Sequence, residues 1–132
     1  MPAQQNKIKV LFVCGRNTAR SQMGEALLKL LGGDRFEVES AGLEAGDEIN
    51  PLAVEVMKEI GIDIARNRSR HVDTLRDQHF DVVVTVCDGA RETCPIFPGG
   101  TRKIHRGFPD PAAATGTPEE RRDCFRRVRD EI

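Results

Sequence analysis

Apolar and polar positions along this chain follow a strand spacing in some segments and a helical spacing in others. Residues 8–13 and 82–86 are short runs of aliphatic and β-branched side chains, typical of strands buried on both faces. Residues 36–40 alternate apolar with polar side chains and predict a further strand, and residues 102–105 predict a short one. The sequence therefore predicts about four strands.

Helical spacing fills the stretches between the predicted strands. Apolar residues recur at helical intervals in residues 23–31, 52–60 and 124–132, and more weakly in residues 72–80. The flanking residues are typical of helix ends, because glycines follow the first helix, an Asn-Pro pair precedes the second and a Thr-x-x-Glu capping box precedes the last. These signals are Gly32 and Gly33, Asn50 and Pro51, and Thr117 with Glu120.

Strands that alternate with helices predict one α/β domain over residues 1–132. We expect a doubly wound, Rossmann-like sandwich with a central parallel sheet of about four strands flanked by helices. Such folds bind ligands at the carboxyl ends of the strands. Cys14 follows the first strand and Cys87 follows the strand of residues 82–86. Both thiols are therefore predicted at the same edge of the sheet.

Charge and hydropathy narrow the function classes. The chain has 132 residues, with 20 Lys and Arg against 21 Asp and Glu, and a formal net charge of −1. This balance disfavours binding to nucleic acid or to a membrane surface. The longest unbroken apolar run, residues 10–14, is far shorter than the roughly 20 residues of a membrane span. Without a signal-peptide pattern, we expect a cytoplasmic protein.

The chain contains 4 cysteines and no Tyr or Trp. Static disulfides are rare in a reducing compartment, so these cysteines call for another role. Cys124 lies on the apolar face of the last predicted helix, and we expect it to pack in the core. Cys87 and Cys94 are separated by a short polar segment that includes a glycine. Their spacing is unlike that of zinc-binding cysteine pairs, which disfavours a structural zinc site.

The segment from Cys14 to Ser21 carries the clearest chemistry, a cysteine and an arginine separated by five residues between a strand and a helix. A loop of this length at a helix N-terminus can turn backbone N–H groups inward and bind a tetrahedral oxyanion. Arg20 adds a planar fork that binds two oxygens of the anion, and the positive surroundings favour a thiolate at Cys14. Ser21 can donate a hydrogen bond to that thiolate, and Asn17 can hold the loop in shape.

This loop and several further segments resemble the low-molecular-weight tyrosine phosphatase superfamily, and within it the thioredoxin-coupled arsenate reductases. The resemblance extends over nearly the whole chain. Two loop positions depart from the pattern: Arg16 stands where a glycine is common, and Ala19 where a cysteine often precedes the arginine. The shared segments are residues 14 and 20–23, Glu39-Ser40-Ala41-Gly42, Val84-Thr85-Val86-Cys87, Cys94-Pro95 and Phe108-Pro109-Asp110-Pro111.

The resemblance implies the phosphatase-like fold and the reduction of arsenate to arsenite, that is, arsenic detoxification. Cys14 would attack arsenate, Arg20 would stabilise the charge and Asp110 would protonate the departing oxygen. A disulfide would then pass from Cys14–Cys87 to Cys87–Cys94, where thioredoxin would reduce it. The substrate-binding residues implied are Gly15, Arg16, Asn17, Thr18, Ala19, Arg20 and Ser21.

Further partners also follow from the resemblance. Phosphate and sulfate would compete with arsenate for the loop, and a glutathione-type or mycothiol system is an alternative to thioredoxin as the thiol donor. No tightly bound cofactor is expected, and the chain is expected to be a monomer. Relatives of the reductase type can bind potassium near the loop, which by position implies a site formed by Asn17, Glu25, Ser40 and Asp63. The alternative is that Glu25 and Asp63 are surface charges.

Two other functions stay open at this point. A tyrosine phosphatase uses the same loop, but members acting on phosphotyrosine commonly carry aromatic residues after the Asp-Pro pair. Here Ala112, Ala113 and Ala114 follow Asp110-Pro111, which argues against an aromatic substrate. A non-enzymatic oxyanion or redox sensor would keep the loop and thiols without turnover.

Overall fold

The computed structural model describes residues 7–44, 48–87 and 101–132 as strands, helices and connecting turns. The strands are β1 (Ile8–Cys14), β2 (Phe36–Gly42), β3 (Val82–Thr85) and β4 (Arg102–His105). The α-helices in the described ranges are α1 (Arg20–Gly32), α2 (Pro51–Glu59) and α3 (Pro118–Glu131). Short 3-10 helices span Gly33–Arg35, Val72–Leu75 and Pro111–Ala113.

The strands form one four-stranded sheet in the order β2-β1-β3-β4, and every pairing is parallel. This confirms the predicted architecture. β1 is central, since Val10 lies opposite Val38 of β2 on one side and Val82 of β3 on the other. The chain thus leaves β1 for one side of the sheet and later returns to the other side. The resulting switch point, at the carboxyl ends of β1 and β3, is where ligands bind in folds of this type.

The predicted helix ends are confirmed. Asn50 accepts a hydrogen bond from the backbone N–H of Leu52 at 2.9 Å, and Pro51 follows as the first helical residue of α2. Thr117 and Glu120 form the reciprocal capping box of α3, with N···O distances of 3.1 and 3.0 Å. α1 ends at Gly32, and the following Gly33 has a φ of 57°, in the left-handed region that glycine adopts readily.

The fold buries two separate apolar clusters, one of which includes side chains of the sheet. One contains β-strand side chains together with the segment before β3, and the other joins α1, α2 and α3. Phe80 is fully buried in the first cluster and Phe125 in the second. The first comprises Leu11, Val13, Ala41, Val72, Leu75, Phe80 and Val83; the second comprises Ala19, Met23, Ile49, Ala53, Val56, Met57, Ile64, Phe125 and Val128.

The structure corrects two expectations. The weak helical pattern over residues 72–80 corresponds only to the 3-10 helix Val72–Leu75. Leu75 and Phe80 both pack into the same cluster, and the residues between them turn the chain into β3 instead of continuing a helix. Cys124 is half-buried and lies outside the buried clusters, so its predicted core packing is only partly met. In the described ranges, no helix is long and apolar enough to cross a membrane.

A network of ion pairs joins α2 to α3 above the second cluster. Arg126 binds Glu59 at 2.7 Å and Asp123 at 2.6 Å, and Arg129 binds Glu59 at 2.9 Å. The hydrogen bond from Arg126, assisted by Arg129, lowers the pKa of Glu59 to about 2. Arg126 and Arg129 of α3 are therefore engaged in ion pairs with carboxylates of α2 and α3.

We predict that Glu59 makes stability dependent on pH in the acid range. Because its pKa is lower in the folded protein than in the unfolded chain, its contribution is complete above about pH 4.5 and is lost as pH falls towards about 2. The urea midpoint of Glu59→Gln should lie below that of the wild type at neutral pH, and the two should converge in acid. Glu131→Gln, at the end of α3, is the control. A difference between Glu59→Gln and wild type that does not change with pH would contradict the prediction.

Candidate active site

Cys14 ends the central strand β1 and its side chain turns into the following loop. It is 3% exposed. Its Sγ lies 2.8 Å from the hydroxyl of Ser21 and 3.1 Å from the backbone N–H of Asn17, which donates to it. A sulfur that receives such hydrogen bonds is stabilised in its charged form. Ser21 is therefore within hydrogen-bond distance of the sulfur, and its role in stabilising a thiolate stays a prediction.

Asn17 holds the loop through its backbone and its side chain. Its φ of 58° lies in the left-handed region, where asparagine is among the better-tolerated residues. The side chain is fully buried; Nδ2 donates to Ser21 at 2.8 Å, and Oδ1 accepts from the backbone N–H of Arg70 at 2.9 Å. This left-handed turn directs the N–H of Asn17 at the sulfur.

Backbone hydrogen bonds fasten the loop to the carboxyl end of β2. Leu43 and Glu44 donate to the carbonyls of Cys14 and Gly15 at 3.0 and 2.9 Å. Gly42 allows this approach, since a Cβ there would lie 2.7 Å from the carbonyl carbon of Arg16 and 2.8 Å from the nitrogen of Asn17. The glycine of the Glu-Ser-Ala-Gly segment therefore serves the loop and not merely a strand end.

Helix α1 begins at the end of the loop without a side-chain cap. Ala19 occupies the N-cap position and offers no side-chain oxygen to the first turn. The caps of α2 and α3, in contrast, are supplied by Asn50 and Thr117. The N–H groups at the start of α1 are thus left for an anion in the loop. Ala19 itself is buried against the second apolar cluster.

Arg20 and Asp110 meet across a cavity of about 430 Å³ at this edge of the sheet. Arg20 donates from Nη1 to the carbonyl of Phe108 at 3.0 Å, and its Nη2 lies 3.9 Å from Oδ2 of Asp110. Oδ1 of Asp110 accepts the backbone N–H of Ala112 at 3.0 Å, which leaves Oδ2 directed at the cavity side. The cavity is lined by Arg20, Cys87, Gly107, Phe108, Pro109 and Asp110.

Cys87 is a free, half-buried thiol on the wall of that same cavity. It follows β3 at the point where Val86 donates to the carbonyl of Val13 at 2.9 Å, one residue before Cys14. Phe108 in turn donates to the carbonyl of Val86 at 3.1 Å and ties the Asp110 segment to the end of β3. The structure thus brings Cys14, Arg20, Cys87 and Asp110 to one edge, as predicted. Cys94 lies outside the described residues.

The remaining loop residues lie around this centre. Arg16 is exposed, and its carbonyl accepts a hydrogen bond from Ser69 at 2.7 Å. Thr18 accepts the backbone N–H of Asn50 at 2.9 Å through its carbonyl, which joins the loop to the start of α2. The position that is commonly glycine in relatives therefore carries a side chain that points away from the packed part of the loop.

Three residues of the predicted potassium site are linked by contacts or by a shared cavity, and the ion itself stays a prediction. Ser40 donates to Glu25 at 2.5 Å, and the other oxygen of Glu25 binds Nζ of Lys29 at 2.6 Å. Glu25 and the exposed Asp63 line one cavity. The oxygen of Asn17 faces N–H donors instead. Within the described parts of the chain, no group of three or more His, Cys, Asp or Glu side chains is arranged to hold a metal.

Two features of the site were not predicted from the sequence. Gln22 is buried and hydrogen-bonded to Asn17. The sequence places it among the shared residues 20–23 but assigns it no role. The carbonyl of Phe108 holds Arg20. The sequence indicates this carbonyl only by the position of Phe108 two residues before Asp110. A backbone acceptor does not depend on the type of residue that carries it.

We predict that Asn17→Ala is less stable than Asn17→Gly by about 1 kcal/mol, because only glycine adopts a left-handed φ without a steric cost. Both variants lose the side-chain hydrogen bonds to Ser21 and Arg70, so the comparison isolates the backbone. Urea unfolding of the pair measures the difference. Equal stabilities, or a more stable alanine variant, would contradict the strain ascribed to this turn.

Comparisons with known proteins match this chain over nearly its whole length. Residues 9–132 match the family model described as low molecular weight phosphotyrosine protein phosphatase. An arsenate reductase of Halalkalibacterium halodurans is 49% identical over 127 residues, covering 96% of this chain and 91% of the relative.

Solved structures of both activities resemble the chain. An arsenate reductase in its oxidized state superposes with a TM-score of 0.74 at 34% identity, covering 93% of this chain and 88% of that one. A thioredoxin-dependent arsenate reductase of Corynebacterium glutamicum gives a TM-score of 0.68 at 29% identity, covering 98% and 62%. A low molecular weight protein tyrosine phosphatase from T. tengcongensis gives 0.72 at 27% identity, covering 95% and 92%. The chain belongs to the low molecular weight phosphotyrosine protein phosphatase family.

Proposed function

We propose that this protein reduces arsenate to arsenite with thiols and that thioredoxin regenerates it. The observation that carries the proposal is the placement of two thiols at one sheet edge: Cys14 inside the oxyanion loop and Cys87 on the wall of the cavity that Arg20 and Asp110 also line. The reductase relatives described above support it. A hydrolase of phosphate esters would need the first thiol alone.

The first step is attack of the Cys14 thiolate on arsenic. A sulfur–arsenic bond forms, and one arsenic–oxygen bond breaks. The loop N–H groups and the Arg20 guanidinium bind the remaining oxygens and stabilise the charge that develops on them. To reach the anion, Arg20 has only to exchange its contact with the Phe108 carbonyl for one with the substrate oxygens.

Asp110 supplies the proton that lets the oxygen leave as water. It is half-exposed at the mouth of the cavity, so it can exchange protons with solvent. The hydrogen bond from Ala112 fixes one oxygen of its carboxyl group, and the other stays available. A proton delivered by a positioned carboxylic acid is a common means of lowering such a barrier.

The electrons come from the cysteines. Cys87 attacks the sulfur of Cys14, and the electron pair of the sulfur–arsenic bond stays with arsenic, which leaves as arsenite. Cys94 then attacks Cys87, which frees Cys14 and leaves a Cys87–Cys94 disulfide. Reduced thioredoxin opens that disulfide and is itself oxidised. The attack of Cys87 on Cys14 supplies the two electrons that convert arsenic(V) to arsenic(III). The later exchanges pass the resulting disulfide to Cys87–Cys94 and then to thioredoxin.

The phosphatase alternative shares the loop, and the fold does not separate the two activities, because structures of both superpose on this chain. What favours reduction is the second thiol at the cavity and the run of alanines after Pro111, which offers no ring to grip a phosphotyrosine. A sensor without turnover would leave the placement of Asp110 beside Arg20 without a role.

Several finer points stay predictions: the monomeric state, the cytoplasmic location, the choice of thioredoxin over a glutathione-type or mycothiol donor, and competition by phosphate or sulfate. Potassium at Asn17, Glu25, Ser40 and Asp63 also stays a prediction. The proposed chemistry contains no step that depends on the ion, and Nζ of Lys29 lies 2.6 Å from Glu25.

We predict that Cys94→Ser releases at most one arsenite per protein molecule when thioredoxin and its reductase are present. The Cys14–Cys87 disulfide would form but could not be transferred to a site that thioredoxin reaches. Rapid-quench measurement of arsenite per enzyme tests this prediction. Cys124→Ser, which removes a thiol outside the relay, should turn over as the wild type does. Sustained turnover by Cys94→Ser would refute the relay.

We predict that Asp110→Asn slows arsenite release by about 100-fold or more, the usual contribution of general acid catalysis. Asparagine keeps the oxygen that accepts the N–H of Ala112, so the local turn is retained while the proton is lost. Single-turnover kinetics with arsenate give the rate. An unchanged rate would remove Asp110 from the mechanism.

A further inference from the structure

We propose that Gln22 is a positioning residue that sets the direction of the hydrogen-bond chain ending on the sulfur of Cys14. The proposal rests on the proposed function only in taking Cys14 as the nucleophile. Gln22 lies in the first turn of α1 and is 2% exposed. It touches neither the sulfur nor the cavity of Arg20 and Asp110, according to the contacts in the described residues.

The amide of Gln22 joins the loop to the segment that precedes the 3-10 helix Val72–Leu75. Its Nε2 donates to Oδ1 of Asn17 at 3.0 Å and to the carbonyl of Arg68 at 3.1 Å, with a longer contact of 3.3 Å to the carbonyl of Asn17. Its Oε1 accepts from Nδ2 of Asn67 at 3.1 Å. Both ends of this buried amide are therefore occupied, and its orientation is fixed.

The fixed amide of Gln22 and the backbone N–H of Arg70 together set which way the amide of Asn17 points. Oδ1 of Asn17 faces two N–H donors, Nε2 of Gln22 at 3.0 Å and the backbone N–H of Arg70 at 2.9 Å. Turned the other way, Asn17 would set its own N–H groups against both donors. An unsatisfied and repulsive arrangement of this kind is costly in a buried site. Nδ2 of Asn17 is therefore directed at Ser21.

The direction of the Asn17 amide in turn decides what Ser21 offers to the sulfur. The Ser21 oxygen accepts from Nδ2 of Asn17 at 2.8 Å, so its own hydrogen is free to point at Sγ of Cys14, also at 2.8 Å. If Asn17 presented Oδ1 instead, that oxygen would take the Ser21 hydrogen, and Cys14 would face an oxygen lone pair. A donor favours the thiolate, whereas a lone pair disfavours it.

The chain of amides begins at the protein surface. Asn67 is exposed, and its donation to Oε1, together with the Arg68 carbonyl that accepts from Nε2, keeps the N–H groups of Gln22 turned towards Asn17. A change at Asn67 can thus alter the nucleophile without entering the packed loop. If Gln22 had only a structural role, its substitution would lower stability and leave the reactivity of Cys14 unchanged.

The test measures how fast iodoacetamide alkylates Cys14 at neutral pH in the full chain, resolved from the other cysteines by mass spectrometry. Gln22→Met keeps the length of the side chain but removes the donors, and should slow alkylation of Cys14 about fivefold. Gln22→Glu places a carboxylate against Oδ1 of Asn17 and should slow it more, about tenfold. Asn67→Ala should slow it about twofold. The rate at Cys87 in the same samples should not change.

Gln78→Met is the matched control, because Gln78 is a half-buried glutamine that accepts a hydrogen bond from Nζ of Lys9 at 2.8 Å, outside the loop. In this variant, iodoacetamide should alkylate Cys14 at the wild-type rate. The proposal is overturned if iodoacetamide alkylates Cys14 in Gln22→Met and Asn67→Ala as fast as in the wild type, including the case in which the variants have a lower melting temperature. If Gln22→Met does not fold, the surface variant Asn67→Ala decides. None of these readouts requires arsenate turnover, so failure of the proposed reduction would leave them interpretable.

Discussion

The hydrogen bonds that hold the sulfur of Cys14 at the end of the central strand are the interaction on which the site depends. They require the left-handed turn at Asn17, which brings its N–H within 3.1 Å of the sulfur. That turn requires the close approach of Gly42 from β2, where a Cβ would collide with the loop backbone. It also requires α1 to begin at Arg20, so that Ser21 falls beside the thiol. Strand order, glycine placement and helix start thus all converge on one atom.

The same fold and anion-binding loop occur with two reactions in this family. The residues around the cavity next to the loop distinguish the two reactions. In the proposed mechanism, the loop and Arg20 would bind a tetrahedral anion and Asp110 would protonate the departing oxygen, whether the anion is arsenate or a phosphate ester. The thiol of Cys87, which lines the cavity that Arg20 and Asp110 share, would add a route for electrons in the proposed mechanism. Fold likeness is therefore silent on the activity, and the position of the second cysteine carries the distinction.

Much of this arrangement could be predicted from the sequence because its signals are local. Strong apolar runs located β1 and β3, cap residues located the starts of α2 and α3, and the fixed spacing of Cys14 and Arg20 located the loop. Cys14 and Cys87 were expected at the same edge because both follow buried parallel strands, and the structure places them there.

Other features depend on contacts between distant segments, which a local pattern does not record. The helical spacing of residues 72–80 arises because Leu75 and Phe80 pack into the same apolar cluster. Only Val72–Leu75 forms a helix, of the 3-10 type. The role of Gln22 arises from residues 67–70, which reach the loop only in the folded chain. The carbonyl of Phe108 acts through the backbone and is independent of its side chain. The potassium prediction came from resemblance alone, and the structure places Lys29 against its carboxylate.

The most direct test of the central claim is a coupled assay that counts electrons and product together. Purified protein is supplied with arsenate, thioredoxin, thioredoxin reductase and NADPH, and both arsenite and NADPH are followed over many turnovers. Reduction by the thiol relay predicts one arsenite formed for each NADPH oxidised, with no consumption when phosphate replaces arsenate. Absence of NADPH oxidation with this donor, and of arsenite formation with glutathione-type and mycothiol donors, would contradict the account.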